Sequence, residues 1–399
     1  MRKTVFFEKI HQNDGGYDIM IPFPYRDEEE PMNASFYLPT RVFAGRGVIT
    51  ENKSVLAAGH HAFLVTGRHG AKASGALDDV TAALTGLGIA FTVFDEIKEN
   101  PALTECHRAG ALAAAAGADF VIGIGGGSAL DAAKAVAAFA ANPTIAPTEL
   151  YDGTRRTMPT LPLFAVPTTA GTGSEVNPYS VLTLPSGEQK KTFTADTWFR
   201  AAFVDPRYTE SLSWNTTVST ALDAFAHALE SYLSPKSTVF SEGAAIFAAE
   251  KIWNVLTEYP AEFTPEMRDD LSVAATAAGM AISVTGTGFP HPLGYSLTLL
   301  DGVPHGRACA IFEGDFLEYN EKTEIGKARI AAFAAAIGTT PKVMKTYLPA
   351  LADIGFSFTG EEIEKRVNLI SGAKNYVNSP YVLSVEEIYE IYRRHFGRK

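Results

Sequence analysis

Residues 119–141 read DFVIGIGGGSALDAAKAVAAFAA, and this stretch decides the fold. Residues 119–123 are a short apolar run of strand length, and 128–141 are an Ala-rich helix. Between them, Gly123-Ile124-Gly125-Gly126-Gly127-Ser128 puts four glycines into five positions. Glycine lets a backbone approach a ligand closely. The helix start behind the loop offers unpaired N–H groups and the positive end of a dipole. Phosphate or pyrophosphate is the guest that suits such a loop. It is neither the Gly-Lys-Ser/Thr loop of nucleoside triphosphatases nor the GxGxxG turn of a first Rossmann unit. A tight turn would explain one or two of these glycines on steric grounds, but not four.

Working outward, residues 62–66, ending at Gly67, read as a buried strand, as do 90–94 and 163–166. Residues 71–87 and 102–116 read as helices. Short apolar strands alternating with helices predict βαβ units and a parallel sheet covered on both faces. After about residue 208 strands disappear. Helical spacing then marks 216–233, 242–256, 268–283 and 325–336. The expectation is an α/β dinucleotide-binding domain with a Rossmann-like sheet over 32–208 and an all-α domain over 209–399. Residues 1–31 form an extension with the acidic run Asp27-Glu28-Glu29-Glu30, broken by Pro22, Pro24 and Pro31.

The 399 residues suit two domains, and 46% apolar with 20% charged residues is a globular balance. A net charge of −11 speaks against a nucleic-acid partner. The two cysteines, Cys106 and Cys309, form no metal-ligand spacing and exclude a disulfide framework, so a reducing, cytoplasmic setting is expected. Residues 271–300 lack Asp, Glu, Lys and Arg. Gly286, Gly288, Pro290 and Pro292 interrupt them, so no membrane span is expected. Residues 1–18 hold no apolar core of signal-peptide length.

A second small-residue loop, Pro167-Thr168-Thr169-Ala170-Gly171-Thr172-Gly173-Ser174-Glu175, follows the strand at 163–166. It supplies hydroxyls and bare backbone at a strand's C-terminal end, where α/β sheets bind ligands. In the helical half, Asp223 and His227 stand i, i+4 and share one helix face. His291 and His305 follow, each in a Gly/Pro-marked setting. One carboxylate and three neutral imidazoles suit Fe²⁺ or Zn²⁺ with a position open for substrate. For any one of these histidines, a hydrogen-bonded core residue is the competing reading. His11, His60, His61, His69, His107 and His395 lie in polar or terminal settings and read as solvated.

With these motifs in order, the chain from about Phe36 onward resembles the iron-containing (group III) alcohol dehydrogenases. The resemblance rests on Gly125-Gly126-Gly127-Ser128-x-x-Asp131-x-x-Lys134, the threonine-rich loop, Asp223-x-x-x-His227, His291 and His305. It implies a dinucleotide-binding domain, a helical domain and a metal in the cleft between them, with Asp223, His227, His291 and His305 as the ligands. It places pyrophosphate at Gly126, Gly127 and Ser128, with Asp131 on the helix behind. Thr168, Thr169 and Thr172 would line the cofactor, and Asn100 would stand beside the nucleotide. A lysine near the nicotinamide ribose falls on Lys190 or Lys191.

Two departures matter. Many NAD-dependent members carry an Asp where this chain has Gly67, followed by Arg68, so NADP(H) is expected in preference to NAD(H). Many members also carry a His where this chain has Tyr295, which bears on proton transfer and substrate shape. The expected activity is a metal-dependent, NAD(P)-linked alcohol dehydrogenase or aldehyde reductase, in a homo-oligomer such as a dimer, with a small-molecule substrate. Maleylacetate reductases and phosphonate- or polyol-directed dehydrogenases share the motifs. A nucleotide-binding protein without turnover is the non-enzymatic alternative.

Overall fold

The computed structural model describes residues 34–195 and 197–398. The extension at 1–31, and His11 within it, lie outside the described residues. The strands are β1 (Arg41–Ala44), β2 (His61–Gly67), β3 (Ala90–Ile97), β4 (Phe120–Gly125), β5 (Leu163–Pro167), β6 (Ser180–Thr183), β7 (Lys190–Phe193) and β8 (Ala201–Val204). Six of them form one sheet in the order β1-β8-β5-β4-β2-β3, every neighbouring pair parallel. The helices α1 (Val48–Asn52), α2 (Gly70–Ala73), α3 (Ala76–Gly86), α4 (Leu103–Ala115) and α5 (Gly127–Ala141) accompany it.

Side chains of β2 and β4 alternate between two cores, as the pleat requires. Phe63, Val65 and Val121 enter one core with α4 and α5. Ala62, Leu64, Phe120 and Ile122 enter the other with α1 and α3. The chain winds one way from β2 to β3 and the other way from β2 through β4 to β5. The C-terminal ends of β2 and β4 therefore flank a topological switch point, where doubly wound sheets open a crevice. Gly67 ends one of these strands and the glycine loop ends the other.

The helical half comprises α6 (Trp214–Leu233), α7 (Val239–Glu258), α8 (Pro265–Thr285), α9 (Pro290–Leu300), α10 (His305–Ala310), α11 (Glu313–Asn320), α12 (Glu324–Ala336), α13 (Pro341–Ala352), α14 (Gly360–Ile370) and α15 (Val385–Phe396). They share one apolar core. Ser213 caps α6 by accepting a hydrogen bond from the Thr216 amide. Pro290 opens α9 at a position where a missing N–H costs nothing. The uncharged stretch at 271–300 becomes the end of α8 and all of α9, which bend 114° apart. Among the described residues, no single helix is long and apolar enough to cross a membrane.

Three local expectations need correction. The single helix expected at 71–87 is two, because Gly75 takes φ 80° between α2 and α3. Strands β1, β6, β7 and β8 were not foreseen; each has four residues, too few to show a period. His61, His107 and His395 are half-buried and bonded rather than solvated. They pair with Thr92 Oγ1, the Ile145 carbonyl and Asp315 respectively.

One close approach brings α10 against α6. A Cβ on Gly306 would lie 1.8 Å from the Ser219 carbonyl oxygen. Only glycine lets the start of α10, and so His305, come beside Asp223. Gly306→Ala should therefore cost about 1–3 kcal/mol by overpacking. It is expected to lower Tm in a thermal melt and to weaken divalent-metal binding in the same preparation.

Candidate active site

One cleft of about 1180 Å³ runs from the sheet's switch point into the helical half. On the sheet side it is lined by Gly67, Asn100, Gly126, Gly127, Ser128, Asp131, Thr168, Thr169, Thr172 and Lys190. On the helical side it is lined by Asp223, His227, His291, Tyr295 and His305. Residues far apart in sequence thus share one space. Arg68 and Lys191 do not line it. Arg68 is exposed next to Gly67, and Lys191 Nζ sits 4.2 Å above the Tyr151 ring. Lys190 faces the cleft instead, its Nζ 5.4 Å from the centre of the Tyr295 ring.

The glycine loop and the threonine loop touch. A Cβ on Gly127 would meet Thr172 Cγ2 at 2.5 Å, so this glycine is needed for close approach. Asn100, at φ 56°, donates its amide to Ser128 Oγ at 3.2 Å, and its carbonyl accepts from Thr183 Oγ1. Asp131, expected to serve the cofactor, has both carboxylate oxygens engaged elsewhere. One accepts from Ser174 Oγ at 2.6 Å and the other from the Val181 amide at 2.9 Å. It holds the neighbouring loop in place. Lys134 is wholly buried and donates to the carbonyl and hydroxyl of Ser174 and to the Tyr179 carbonyl. Burial lowers its ammonium to about 8, with Asp131 and Glu175 opposing the shift.

The helical wall holds the donor cluster. Asp223 Oδ1 lies 3.7 Å from His227 Nε2, 3.6 Å from His291 Nε2 and 3.8 Å from His305 Nε2. These separations are too long for hydrogen bonds. Asp223 Oδ1 and His291 Nε2 have no hydrogen-bond partner among the described residues, although both are buried. Four donors about 2.1 Å from one cation in a tetrahedron would stand about 3.4 Å apart. The orphaned atoms and their spacing therefore fit a divalent metal.

Electrostatics agree with that fit. Burial would raise the Asp223 carboxyl, but His227, His305 and His291 together hold it well below the usual range. Burial lowers His227 to about 4 and His305 to about 3 against the pull of Asp223, so both are neutral, as ligands must be. Burial also opposes charge on His291, but Glu230 and Asp223 outweigh it and lift this imidazole to about 10. Glu230, fully buried, receives His291 Nδ1 at 2.8 Å and the Gly288 amide. A carboxylate behind a ligand histidine fixes the ring and the tautomer. The sequence reading missed Glu230. Its signal was available: Glu230 stands seven residues after Asp223 and three after His227, on the same helix face.

Tyr295 stacks on His305 with ring centres 6.0 Å apart. Its hydroxyl has no hydrogen-bond partner among the described residues. Burial, with the charges of Cys309, Glu230 and Asp223, raises the phenol well above its usual range. The phenol is therefore neutral at neutral pH, and its ring stands beside His305.

A model of the iron-containing alcohol dehydrogenases matches residues 39–206, and one of the C-terminal part of the same family matches 217–354. The chain belongs to the iron-containing alcohol dehydrogenase family. It is therefore an oxidoreductase. It is 34% identical over 259 residues to the "Probable alcohol dehydrogenase EutG" of Escherichia coli, a match spanning 62% of this chain and 65% of that one. An iron-containing alcohol dehydrogenase structure from Thermotoga maritima superposes with a TM-score of 0.84 at 37% identity, covering 90% of this chain and 98% of that one. A sulfoacetaldehyde reductase from Bifidobacterium kashiwanohense, solved with NAD+, gives 0.80 at 29% identity over 91% of this chain and 99% of that one.

The donor cluster offers a second combination. Asp223, His291, His305 and Cys309 bring their ligand atoms within 4.8 Å of one another. Cys309 Sγ lies 3.9 and 3.8 Å from the two ring nitrogens of His305, so it rests beside the ring instead of facing Nε2 alone. Burial, with Asp223 and Glu230, raises its thiol well above the usual range. His227 is thus the expected fourth ligand. His227→Ala should lower Co²⁺ affinity by about tenfold or more. Cys309→Ser should leave the Co²⁺ absorption spectrum without the loss of a thiolate charge-transfer band. Titration of both variants with Co²⁺ checks this.

Proposed function

We propose that the protein transfers a hydride between a nicotinamide dinucleotide and a small alcohol or aldehyde held at the Asp223 cluster, working chiefly as an NADPH-dependent aldehyde reductase. The observation that carries this reading is the meeting, in one cleft, of a glycine-lined helix start and four convergent metal donors. When bound, a divalent metal supplies Lewis acidity towards the substrate's oxygen, and the dinucleotide supplies the hydride. Asp223, His227, His291 and His305 would hold the metal. Both Fe²⁺ and Zn²⁺ accept this donor set, and Fe²⁺ is the family's choice.

The chain does the positioning. The amides of Gly126, Gly127 and Ser128 open α5 and receive pyrophosphate. Thr168, Thr169, Thr172 and Asn100 line its bed. Tyr295 forms an aromatic wall over His305 and excludes water from that side. Lys190 Nζ, above the Tyr295 ring, holds the proton that a reduced carbonyl oxygen takes up. The two cysteines are free and buried, which suits a cytoplasmic enzyme. The direct test is NADPH oxidation on an aldehyde panel after anaerobic Fe²⁺ loading, with Zn²⁺ loading alongside. No turnover with either metal would overturn the reading.

The NADP(H) preference rests on Gly67 at the switch point. Its φ lies outside the left-handed region, so the turn does not require a glycine there. An acidic side chain at this position would repel a 2′-phosphate. Exposed Arg68 and Lys72 stand close in sequence to attract one. kcat/KM should favour NADPH over NADH, and Gly67→Asp should shift the ratio towards NADH by about tenfold. A Cβ here would meet the Ile97 carbonyl at 3.1 Å, so Gly67→Ala is the control for crowding alone. Equal values for the two cofactors in the wild type would sink the preference.

Burial lowers the Lys190 ammonium to about 8, against the pull of Asp131 and Asp223. Nζ is charged below that pH and neutral above it. Aldehyde reduction consumes a proton, so its kcat/KM should be level below about 8 and fall as the pH rises through it. Lys190→Met should lower the plateau and remove this limb of the pH–rate profile.

A further inference from the structure

Beyond the donor cluster, the helical side of the cleft carries two positive charges that the hydride transfer does not use. Lys236, just past the end of α6, and Lys374, at the start of the short turn Lys374–Asn378, both line the cleft at its rim. Among the described residues, neither stands in an ion pair. Lys236 Nζ donates to Asn378 Oδ1 at 2.7 Å, and this neutral acceptor leaves two of its three donors unused. Asn378 Nδ2 donates to the Thr287 carbonyl at 3.0 Å, and Asn375 Nδ2 donates to Thr287 Oγ1 at 2.7 Å. Thr287 adjoins Gly288, whose amide binds Glu230, the carboxylate that holds His291. The lysines are thus tied through one short segment to the donor cluster.

At this rim the charged side chains lining the cleft are cationic, whereas the cleft's acids, Glu99, Asp131 and Asp223, lie on the sheet wall and in the donor cluster. Asp223 is surrounded by three imidazoles, Glu230 is taken up by His291, and Asp131 is held by Ser174 and the Val181 amide. Lys190 adds a third cation at the opposite wall. A stretch of wall lined by one sign of charge concentrates ligands of the other sign beside it. Both lysines are exposed, and a terminal oxyanion reaching this rim would accept hydrogen bonds that otherwise go to solvent.

We propose that Lys236, held by Asn378, and Lys374, on the same short turn as Asn378, form an anion subsite, and that the substrate is a short aldehyde or alcohol ending in a carboxylate, sulfonate or phosphonate. This rests on the dehydrogenase reading of the cleft. In the reductive direction the aldehyde carbon gains a hydride and the reduced nicotinamide is oxidised. The carbonyl oxygen gains one proton from Lys190 Nζ, and the oxyanion tail leaves unchanged.

The test compares aldehydes of equal chain length bearing a carboxylate, a sulfonate, a phosphonate or a methyl end, with metal-loaded enzyme and NADPH. At least one anionic aldehyde is expected to exceed the neutral one tenfold or more in kcat/KM, chiefly through KM, and the best of the three identifies the head group. That preference should shrink as NaCl is raised. Lys236→Gln with Lys374→Gln should bring the anionic-to-neutral ratio close to one, and the double Arg variant should restore it. A thermal melt and NADPH fluorescence titration confirm that the variants fold. Turnover of the neutral aldehyde as good as that of every anionic one, or a ratio unchanged in the Gln variant, overturns the subsite and leaves the dehydrogenase standing. Absence of turnover on every aldehyde overturns the dehydrogenase reading and the subsite with it. If the Gln variant does not fold, the wild-type substrate ratio and its salt dependence still decide.

Discussion

The carboxylate of Asp223 is 3% exposed and surrounded by three imidazoles. A buried anion without a counter-charge is among the costliest arrangements a protein can hold. Three helices converge to meet it: α6 supplies His227, α9 supplies His291 and α10 supplies His305. Gly306 lets α10 come close enough, and Glu230 orients His291 from behind. Two of the imidazoles are neutral and the third shares its proton with Glu230. Such a cluster is arranged to receive a cation that releases that proton. The close approach of α6, α9 and α10 at this point meets that requirement.

The opposite wall depends on a second buried charge. Lys134 has no exposure to solvent, and its three donors all go to the segment from Ser174 to Tyr179. This clamps the threonine loop against the glycine loop. It also sets the course of β6 and β7, the hairpin that carries Lys190 over Tyr295. The same loop reaches the helical half directly. Thr276 donates to Glu175 at 2.8 Å, Tyr179 donates to the Ile282 carbonyl at 3.2 Å, and Gly173 lies against Gly279 on α8. Cofactor bed and metal cluster are therefore built on one continuous set of contacts. A shift in either wall changes the distance between them.

Much of this was legible where the signal is local. The strand–glycine–helix run at 119–141 is one continuous unit, and its parallel sheet followed from the alternation around it. Asp223 and His227 share a helix face by spacing alone. The four-residue strands were not legible, because four residues carry no period and their pairing is with distant chain. Glu230 was readable by the same helical spacing that related Asp223 to His227. It went unrecognised because its partner, His291, lies 61 residues away. His61, His107 and His395 looked solvated from their neighbours in sequence. Their partners at Thr92, Ile145 and Asp315 arrive only on folding.

The sequence by itself determined the fold class, the glycine cradle and the residue types of a metal site, because these depend on neighbours within one turn or one strand. Only the tertiary structure decided which of Lys190 and Lys191 faces the cleft, since adjacent residues of a strand point to opposite faces and the register of β7 against β6 selects between them. It also gave Asp131, on the cleft wall, its partners in Ser174 and the Val181 amide, and it brought Lys236 and Lys374 to the same rim from positions 138 residues apart. Both outcomes are set by long-range packing, which no local pattern of residues records.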